Sequence, residues 1–551
     1  MKIKYIWNAH FEILCLGFLL AFLFSLHIVS VMHKSLTYDE PHHYEYGLRI
    51  SRLNSDRSET YFDSKMPFSF LSAALPRSIA HLLEISKIKI GFFDATYKDM
   101  LYNVKAGRGV TILFSLLLAF YVFKWSKALY GTIPGLFSML LYVFSPNIIA
   151  HSQLVTTDLY AALMITISLF YFWRFLKFGG QKRAFVAAFV LGVSQLAKYT
   201  CVFLYPLFFV IVMVRYFPLI VTLVSERQLR VLFRCVARFL AYAFLFMAMS
   251  IVVINIGFLF NKSLTPLTEY KFRSSQFNAL QTMPIVRSIP VPLPYPYIQG
   301  LDLVLFNEKT GNYGNIYLLG KLKGKNIPNF GGFKGYFLYA FLLKEPIATQ
   351  LFILIAIITV ALNRRKYNLL ENELFLLLPL FFFLIYFNYF FNAQIGIRFL
   401  LLIFPLLYIV CGNVLQNWVR YAMTFKSIFI ILLLYLIISV LSYHPHYLSY
   451  FNEIIGDRKK AYKFLADSNI DWGQNSWYLS EYKKKYPAVL VNPEFPTAGR
   501  VVVSINDLVG VYSPERYKWI RENFEPIDHI AYSYLVYEIR PEDLVKVSHH
   551  S

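Results

Sequence analysis

A polytopic, all-α membrane protein of about eleven spans, with a small α/β module at its carboxy-terminal end, is the fold class this sequence predicts. Three observations predict it. Of 551 residues, 57% are hydrophobic and 18% aromatic, and they gather into separate runs rather than scattering; a bilayer takes roughly 20 apolar residues per helix. The short connections between the runs are basic, as in KWSK, RFLKFGGQKR, SERQLRVLFR, NRRKYN and RYAMTFK, the bias that holds short loops on the cytoplasmic side. Beyond residue 443 the texture changes, with helix-like stretches mixed with strand-like VVVSIND and AYSYLVYEI.

The apolar-length criterion places spans near 11–33, 108–125, 131–150, 155–176, 184–199, 201–219, 236–260, 334–362, 373–391, 396–415 and 424–443. The first run follows a signal-like start but is too long for an h-region, and no small-residue cleavage site ends it, so an uncleaved first helix is expected. With the amino terminus inside, every short basic connection falls on the cytoplasmic side, and three long stretches, 34–107, 261–333 and 444–551, face outward. The first contains MPFSFLSAALPRSIAHLLEI, interrupted by Pro76 and Arg77, which reads as interfacial helices. The second, rich in proline and glycine (IPVPLPYPY, GNYGN, NFGGF), reads as a loop that orders over a site. Two domains are expected: residues 1–443 in the membrane and 444–551 outside it.

The formal charge of +22 invites a nucleic-acid reading. Its placement in short inter-span connections argues for orientation instead, so no nucleic-acid partner is expected. Cys15, Cys201, Cys235 and Cys411 lie in or beside apolar runs, far apart, with neither metal-ligand nor disulfide spacing. No internal repeat is visible, which weighs against a secondary transporter.

Ionisable groups at the ends of spans are costly unless they serve a cavity or a site. Here they crowd the predicted outer side. Asp39 and Glu40 stand in TYDEPHHYEYG just past the first run, and Lys65 follows in FDSKMPF. His151 and Asp158 flank the connection AHSQLVTTDLYAAL, and Lys198 sits in LAKYT. Lys344 and Glu345 stand in FLLKEP, Arg398 in IGIRFLLLIFP, and Asp471, Trp472 and Gln474 in DSNIDWGQ. Each has a plain alternative: a helix cap for Asp39, Glu40 or Asp158, a snorkelling or headgroup anchor for Lys65, Lys198 or Arg398, an ion pair for Lys344 with Glu345, a packed helix start for DSNIDWGQ. His42, His43 and Glu45 beside Asp39 invite a metal reading, but neighbouring histidines often only face water. The mixture as a whole suits transfer from a lipid phosphate. Cations hold the phosphate, Arg by a planar fork and Lys as a point charge, while one carboxylate takes a proton from an incoming hydroxyl and another coordinates a divalent cation.

In this order the motifs resemble the GT-C superfamily of membrane glycosyltransferases, in particular bacterial relatives of the protein O-mannosyltransferases and of the lipid A aminoarabinose transferase. TYDEPHHYEYG matches the acidic pair of the family's first outer loop, SKMPF its following lysine, and AHSQLVTTDLYAALM, LAKYT, FLLKEP, IGIRFLLLIFP and YHPHYLSYFNEIIGDRKKAYKFLADSNIDWGQ look like further blocks of a bacterial subgroup. The resemblance implies a GT-C-like fold in a bacterial plasma membrane. It also implies inverting transfer of a sugar from a polyprenyl-phosphate donor to a protein, lipid or glycan acceptor at the extracytoplasmic face. By it, Asp39 is the catalytic aspartate with Glu40 its neighbour, Lys65 a phosphate-contacting lysine, and Asp158, with His151 nearby, the acceptor- or metal-associated acid. Placement adds Lys198, Lys344 and Arg398 on the donor phosphate, and Glu345, Asp471, Trp472 and Gln474 on acceptor or metal. Two departures stand out: methionine follows Lys65 where relatives often carry proline, and Glu345 replaces a small polar residue. The module from 444 onward also differs from the β-trefoil insert of eukaryotic mannosyltransferases, so acceptor identity does not carry over. A lipid-linked-sugar flippase and a non-catalytic envelope assembly protein are the readings from other classes.

Overall fold

The computed structural model describes residues 2–51, 53, 66–73, 100–311, 313–324, 331–362 and 368–548. Among them, six helices are long and apolar enough to cross a membrane: His10–Val31, Val104–Tyr130, Asp158–Phe178, Tyr199–Ser225, Leu229–Gly257 and Met423–Leu441. A seventh span results if Tyr336–Lys344 and Ile347–Leu362, bent by 115°, count as one. Pro346 makes the bend: it pushes the preceding residue out of the helical region, and Glu345 accordingly has φ −95 and ψ 137.

Against the expected count of about eleven spans, six or seven helices qualify among the described residues. Apolar composition continues in places where the helix does not. The run 131–150 forms a 12-residue helix, Thr132–Val143, then restarts as Pro146–His151 under a Ser145 cap. The run 184–199 forms only the 14-residue helix Gln181–Ser194. In 373–391, Pro379 lies inside Leu374–Ile385 and the chain ends in a π turn, Tyr386–Phe390. The run 396–415 opens as a 3-10 stretch, Ile397–Leu402, before Phe404–Cys411.

The Asp158–Phe178 helix is the central pillar. Protein buries 83% of its spanning window, against 22–28% for four of the others. Met100–Tyr130, Gln181–Ser194 and the Ile397–Leu402 turn pack around it. Ala184, Ala188 and Gly192 recur every fourth residue on Gln181–Ser194, and a Cβ on Gly192 would lie 3.0 Å from that of Val253. Small residues of this kind let helices approach where lipid supplies no hydrophobic force. Far from Asp158, at the other end of the pillar, Lys177 donates to Asn372 (2.7 Å) and Trp173 Nε1 to the Glu371 carbonyl (3.0 Å), while Lys127 pairs with Glu12 at 2.5 Å. The basic connections KWSK and RFLKFGGQKR therefore sit at the end of the bundle opposite Asp158 and Lys198.

The stretch 261–333, expected to be a loop, holds a helix, Tyr295–Thr310, and an antiparallel hairpin of β1 (Ile316–Leu318) and β2 (Lys321–Lys323). Its prolines open the helix, with Pro296 in the first turn, rather than preventing it. Near the carboxy terminus, β3 (Leu490–Val491), β4 (Gly499–Ser504), β5 (Asp528–Ile530) and β6 (Tyr534–Ile539) form a mixed sheet in the order β3-β4-β6-β5. Strand alternation divides its side chains: Val502, Tyr534 and Val536 pack with Tyr478 and Tyr482, and Val501, Val503, Leu535 and Tyr537 join the main core. The second half of the expected interfacial segment and Lys65 lie outside the described residues.

The helix Glu40–Ser51 presses against the segment 66–73, and Gly47 permits the approach: a Cβ there would lie 2.2 Å from the Ser69 carbonyl oxygen and 2.9 Å from the Ala73 Cβ. Gly47→Ala is expected to lower stability by about 1–3 kcal/mol through overpacking against backbone, read as a lower unfolding midpoint in detergent.

Candidate functional site

Asp39 and Glu40 are adjacent in sequence and opposite in circumstance. Glu40 begins a helix and points inward, fully buried. Arg108 grips it with a planar fork, Nε at 2.7 Å and Nη2 at 2.5 Å, and the backbone N–H groups of Val155 (3.0 Å) and Thr37 (2.9 Å) donate to the same carboxylate. Arg108 also donates to the carbonyls of Ser35 (2.7 Å) and Lys34 (3.3 Å). With four donors on two oxygens, Glu40 is consumed in tying three segments together. Its neighbour Asp39 is left at the edge, with a quarter of its side chain exposed and Oδ2 2.9 Å from Arg398 Nη1.

Arg398 is the centre of the cluster. Its guanidinium lies over the Trp472 ring at 4.0 Å and comes within 3.9 Å of Asp158 Oδ2. Asp158, at the head of the pillar helix, takes Lys198 Nζ at 2.5 Å. Lys198 in turn lies 4.8 Å over the Phe399 ring. Arg398 Nε is buried and has no hydrogen-bond partner among the described residues, so the guanidinium retains donor capacity. His151 lies beside the cluster, its ring 6.2 Å from that of Trp472. Burial pushes its pKa down to about 3; Asp158 opposes this, while Arg398, Lys344 and Lys198 reinforce it.

The DSNIDWGQ loop positions this cluster from below. Asn469 Oδ1 accepts from the Ile397 N–H at 2.9 Å, and Ser468 Oγ donates to the Ile395 carbonyl. The Trp472 carbonyl accepts from Tyr38 N–H (3.1 Å) and the Gln474 carbonyl from Ser35 N–H (2.9 Å), so this loop is laced to the strip that carries Asp39. Gly473 has φ +93, and a Cβ on it would meet the Leu36 carbonyl at 3.2 Å. The lacing continues through Lys34, whose Nζ donates to Asn475 Oδ1 at 2.7 Å and bonds His446 Nδ1 at 2.9 Å.

The structure thus brings Asp39, Asp158, Lys198 and Arg398 together, with His151 and Trp472 beside them. The other expected groups are placed differently. Lys344 does not pair with Glu345. Its ammonium is buried and donates to the carbonyls of Leu448 (2.8 Å) and Asn469. Glu345 accepts from Tyr408 (2.8 Å) and Asn147 (3.1 Å) in the core. Gln474 is buried and spends its amide on Trp472 N–H (2.6 Å), the Ile470 carbonyl (2.9 Å) and Ser533 Oγ (3.4 Å). Asp471 is also enclosed; burial pushes its carboxyl up to about 6, against the Gly473 N–H that it accepts at 3.1 Å. Trp472 offers its face to Arg398. Among the described residues no three His, Cys, Asp or Glu side chains gather as a metal set, and the cluster's carboxylates face cations. Arg108 was not singled out from sequence, although a charge a few residues inside a spanning helix is itself a signal.

Residues 103–256 match the dolichyl-phosphate-mannose-protein mannosyltransferase family. That stretch carries Arg108, His151, Asp158 and Lys198. Among solved structures, the chain is similar to ArnT from Cupriavidus metallidurans bound to undecaprenyl phosphate, at 12% identity over 81% of this chain and 68% of that one, with a TM-score of 0.43. It is also similar to the apo state of the same protein, at 12% identity over 96% and 98%, with a TM-score of 0.28. No curated protein matches the chain by sequence.

Two outcomes follow from the geometry. Arg108→Leu leaves Glu40 buried without its counter-charge and is expected to cost about 3–5 kcal/mol; the double variant Arg108→Leu with Glu40→Gln recovers part of that loss in the unfolding midpoint. His151 has a folded pKa of about 3, below its ordinary value near 6.5. The unfolded chain therefore takes up a proton that the folded one refuses, and stability present above about pH 6.5 is lost as pH falls, by up to about 1.4 kcal/mol per pH unit. The unfolding midpoint of the wild type should drop further between about pH 7.5 and 5.5 than that of His151→Gln.

Proposed function

We propose that this chain, whose residues 103–256 match the dolichyl-phosphate-mannose-protein mannosyltransferase family, is a membrane glycosyltransferase that transfers a sugar from a polyprenyl-phosphate donor to a hydroxyl acceptor, with inversion, at the extracytoplasmic face of a bacterial plasma membrane. The observation that carries the reading is the cluster at the head of the central helix, where Asp39 lies 2.9 Å from a guanidinium stacked on Trp472, and Lys198 lies 2.5 Å from Asp158. A basic carboxylate beside an arginine fork and a lysine is what proton removal at one atom and phosphate departure at another require. The basic short connections at the opposite end of the bundle support the outward orientation. The bound undecaprenyl phosphate named for ArnT of Cupriavidus metallidurans is a lipid carrier of the kind proposed.

In this reading the donor phosphate takes over the Arg398 fork from Asp39, an exchange of one oxyanion for another. The released carboxylate accepts the proton of the acceptor hydroxyl as that oxygen attacks the anomeric carbon. The bond from that carbon to the phosphate oxygen breaks, and polyprenyl phosphate leaves with its charge held by Arg398, Lys198 and, from the first loop, Lys65. Asp158 keeps Lys198 in place, and Glu40 fixes the strip on which Asp39 rides. No step is routed through a divalent cation. The acceptor is a protein, lipid or glycan.

Asp39→Asn keeps shape and loses the base. It is expected to lower turnover of labelled undecaprenyl-phosphate sugars in native lipid extract by about 10²–10⁴-fold while still binding undecaprenyl phosphate. Arg398→Lys, which cannot fork a phosphate or stack flat on Trp472, should weaken that binding by at least about tenfold. Donor consumption by Asp39→Asn equal to wild type would sink the assignment of the base.

A further inference from the structure

The turn in RFLKFGGQKR lies at the end of the pillar away from the charged site. Gly179 and Gly180 hold φ +62 and φ +93, left-handed backbone that glycine adopts without steric cost. The tight turn brings the helix Gln181–Ser194 back onto Asp158–Phe178 and sets Lys182 and Arg183 beside Arg174. These three line a cavity of about 340 Å³, with Tyr171, Gly180 and Val186 as its other walls. A second cavity, of about 470 Å³, shares Lys182 and lies between Gln181 and Phe185 on one helix and Ala241, Tyr242 and Leu245 on Leu229–Gly257.

Charge in this double cavity has one sign. No Asp or Glu lines either half, and among the described residues Arg174, Lys182 and Arg183 make no ion pair within 4.0 Å. Arg174 lies 5.8 Å over the Phe170 ring, and Arg183 Nη1 donates to the Gly179 carbonyl at 3.0 Å; each guanidinium has five donors, so most stay available. The walls are held in place from behind. The Tyr171 and Tyr121 hydroxyls are 3.0 Å apart, and the Tyr242 ring packs 4.9 Å from that of Phe175.

Depth fixes the surroundings. From Phe239 to Gly257 the chain carries no charge, about 28 Å of helix at 1.5 Å per residue, close to the hydrocarbon thickness of a bilayer. Arg238 immediately precedes it, so Ala241 and Tyr242 sit at the headgroup boundary and Leu245 about one turn deeper. Phe185, Leu240 and Phe244 are exposed next to the cavities, and the spanning window of Leu229–Gly257 is only 28% buried by protein. The opening therefore faces lipid.

We propose that the double cavity at Lys182 binds an anionic phospholipid of the leaflet on the side of the basic connections. Its phosphate is held by Lys182, Arg174 and Arg183, and an acyl chain lies along Phe185 and Leu245. Charge selects the occupant. A zwitterionic lipid brings a cation of its own toward three cations that have no counter-charge, whereas an anionic lipid supplies the missing charge and accepts charge-assisted hydrogen bonds. The site is separate from the transferase reading, and its test reads lipid binding rather than turnover.

The test is native mass spectrometry of the full chain in a neutral detergent, titrated with palmitoyl-oleoyl phosphatidylglycerol, the matching phosphatidylcholine, or inorganic phosphate. Wild type is expected to retain phosphatidylglycerol at least about tenfold more tightly than phosphatidylcholine. Lys182→Gln and the double variant Lys182→Gln with Arg174→Gln should lose most of that preference. Both replace side chains without ion pairs among the described residues, and Lys182→Gln alone, at an exposed position, serves if the double variant does not fold. Arg230→Gln removes a charge from the same end of the bundle that lines neither cavity and should keep the preference within about twofold. Equal affinity of wild type for the two lipids overturns the site, as does a loss in Arg230→Gln as large as that in Lys182→Gln. Displacement of phosphatidylglycerol by an equal concentration of inorganic phosphate would assign the cations to a soluble anion and overturn the lipid.

Discussion

The carboxylate of Glu40 accepts from Arg108, Val155 and Thr37 at once, and the rest of the site depends on it. A buried ion pair is weak evidence for net stability, because desolvation offsets much of the attraction. Its value here is geometric. The fork of Arg108 fixes one strip of chain, Lys34 to Glu40, against the helix Met100–Tyr130 and the connection before Asp158. Asp39 then has one place to be, at the edge of the strip and within reach of Arg398. Lysine in place of Arg108 would hold the charge without the fork, and the strip would lose its register.

The same economy governs the charged cluster. Two carboxylates, Asp39 and Asp158, face two cations, Arg398 and Lys198. Charges partly withdrawn from water are tolerated when they compensate one another. Trp472 and Phe399 add aromatic faces to the two cations, which holds them flat and oriented between ligands.

Much of this was legible in the sequence, and the reasons are specific. Asp39, Asp158, Lys198 and Arg398 each stand at the same predicted end of an apolar run, and gathering at one shared site makes four such placements inexpensive. The strands β4 and β6 announce themselves by runs of Val, Tyr and Ile. What sequence did not disclose was direction and partner. Asp39 and Glu40 look interchangeable until a helix begins between them and turns one inward. Lys344 reads as a cation for a ligand, but two backbone carbonyls, that of Leu448 and that of Asn469 in the DSNIDWGQ loop, claim it. The span count failed for a related reason: hydropathy records composition, and Pro146, Pro379 and the 3-10 stretch at Ile397–Leu402 interrupt helices without interrupting composition.

The lacing of Ser35 and Tyr38 to Gln474 and Trp472 joins residues more than four hundred positions apart. During synthesis the strip emerges more than four hundred residues ahead of its partner. The first loop therefore waits, incomplete, while nearly the whole bundle is inserted around it. Asp39 and Arg398 acquire their final mutual geometry only after the ribosome has delivered the DSNIDWGQ loop. Assembly of the charged centre therefore follows delivery of that loop, and a chain interrupted anywhere before it carries its ionisable groups without the scaffold that brings them into register.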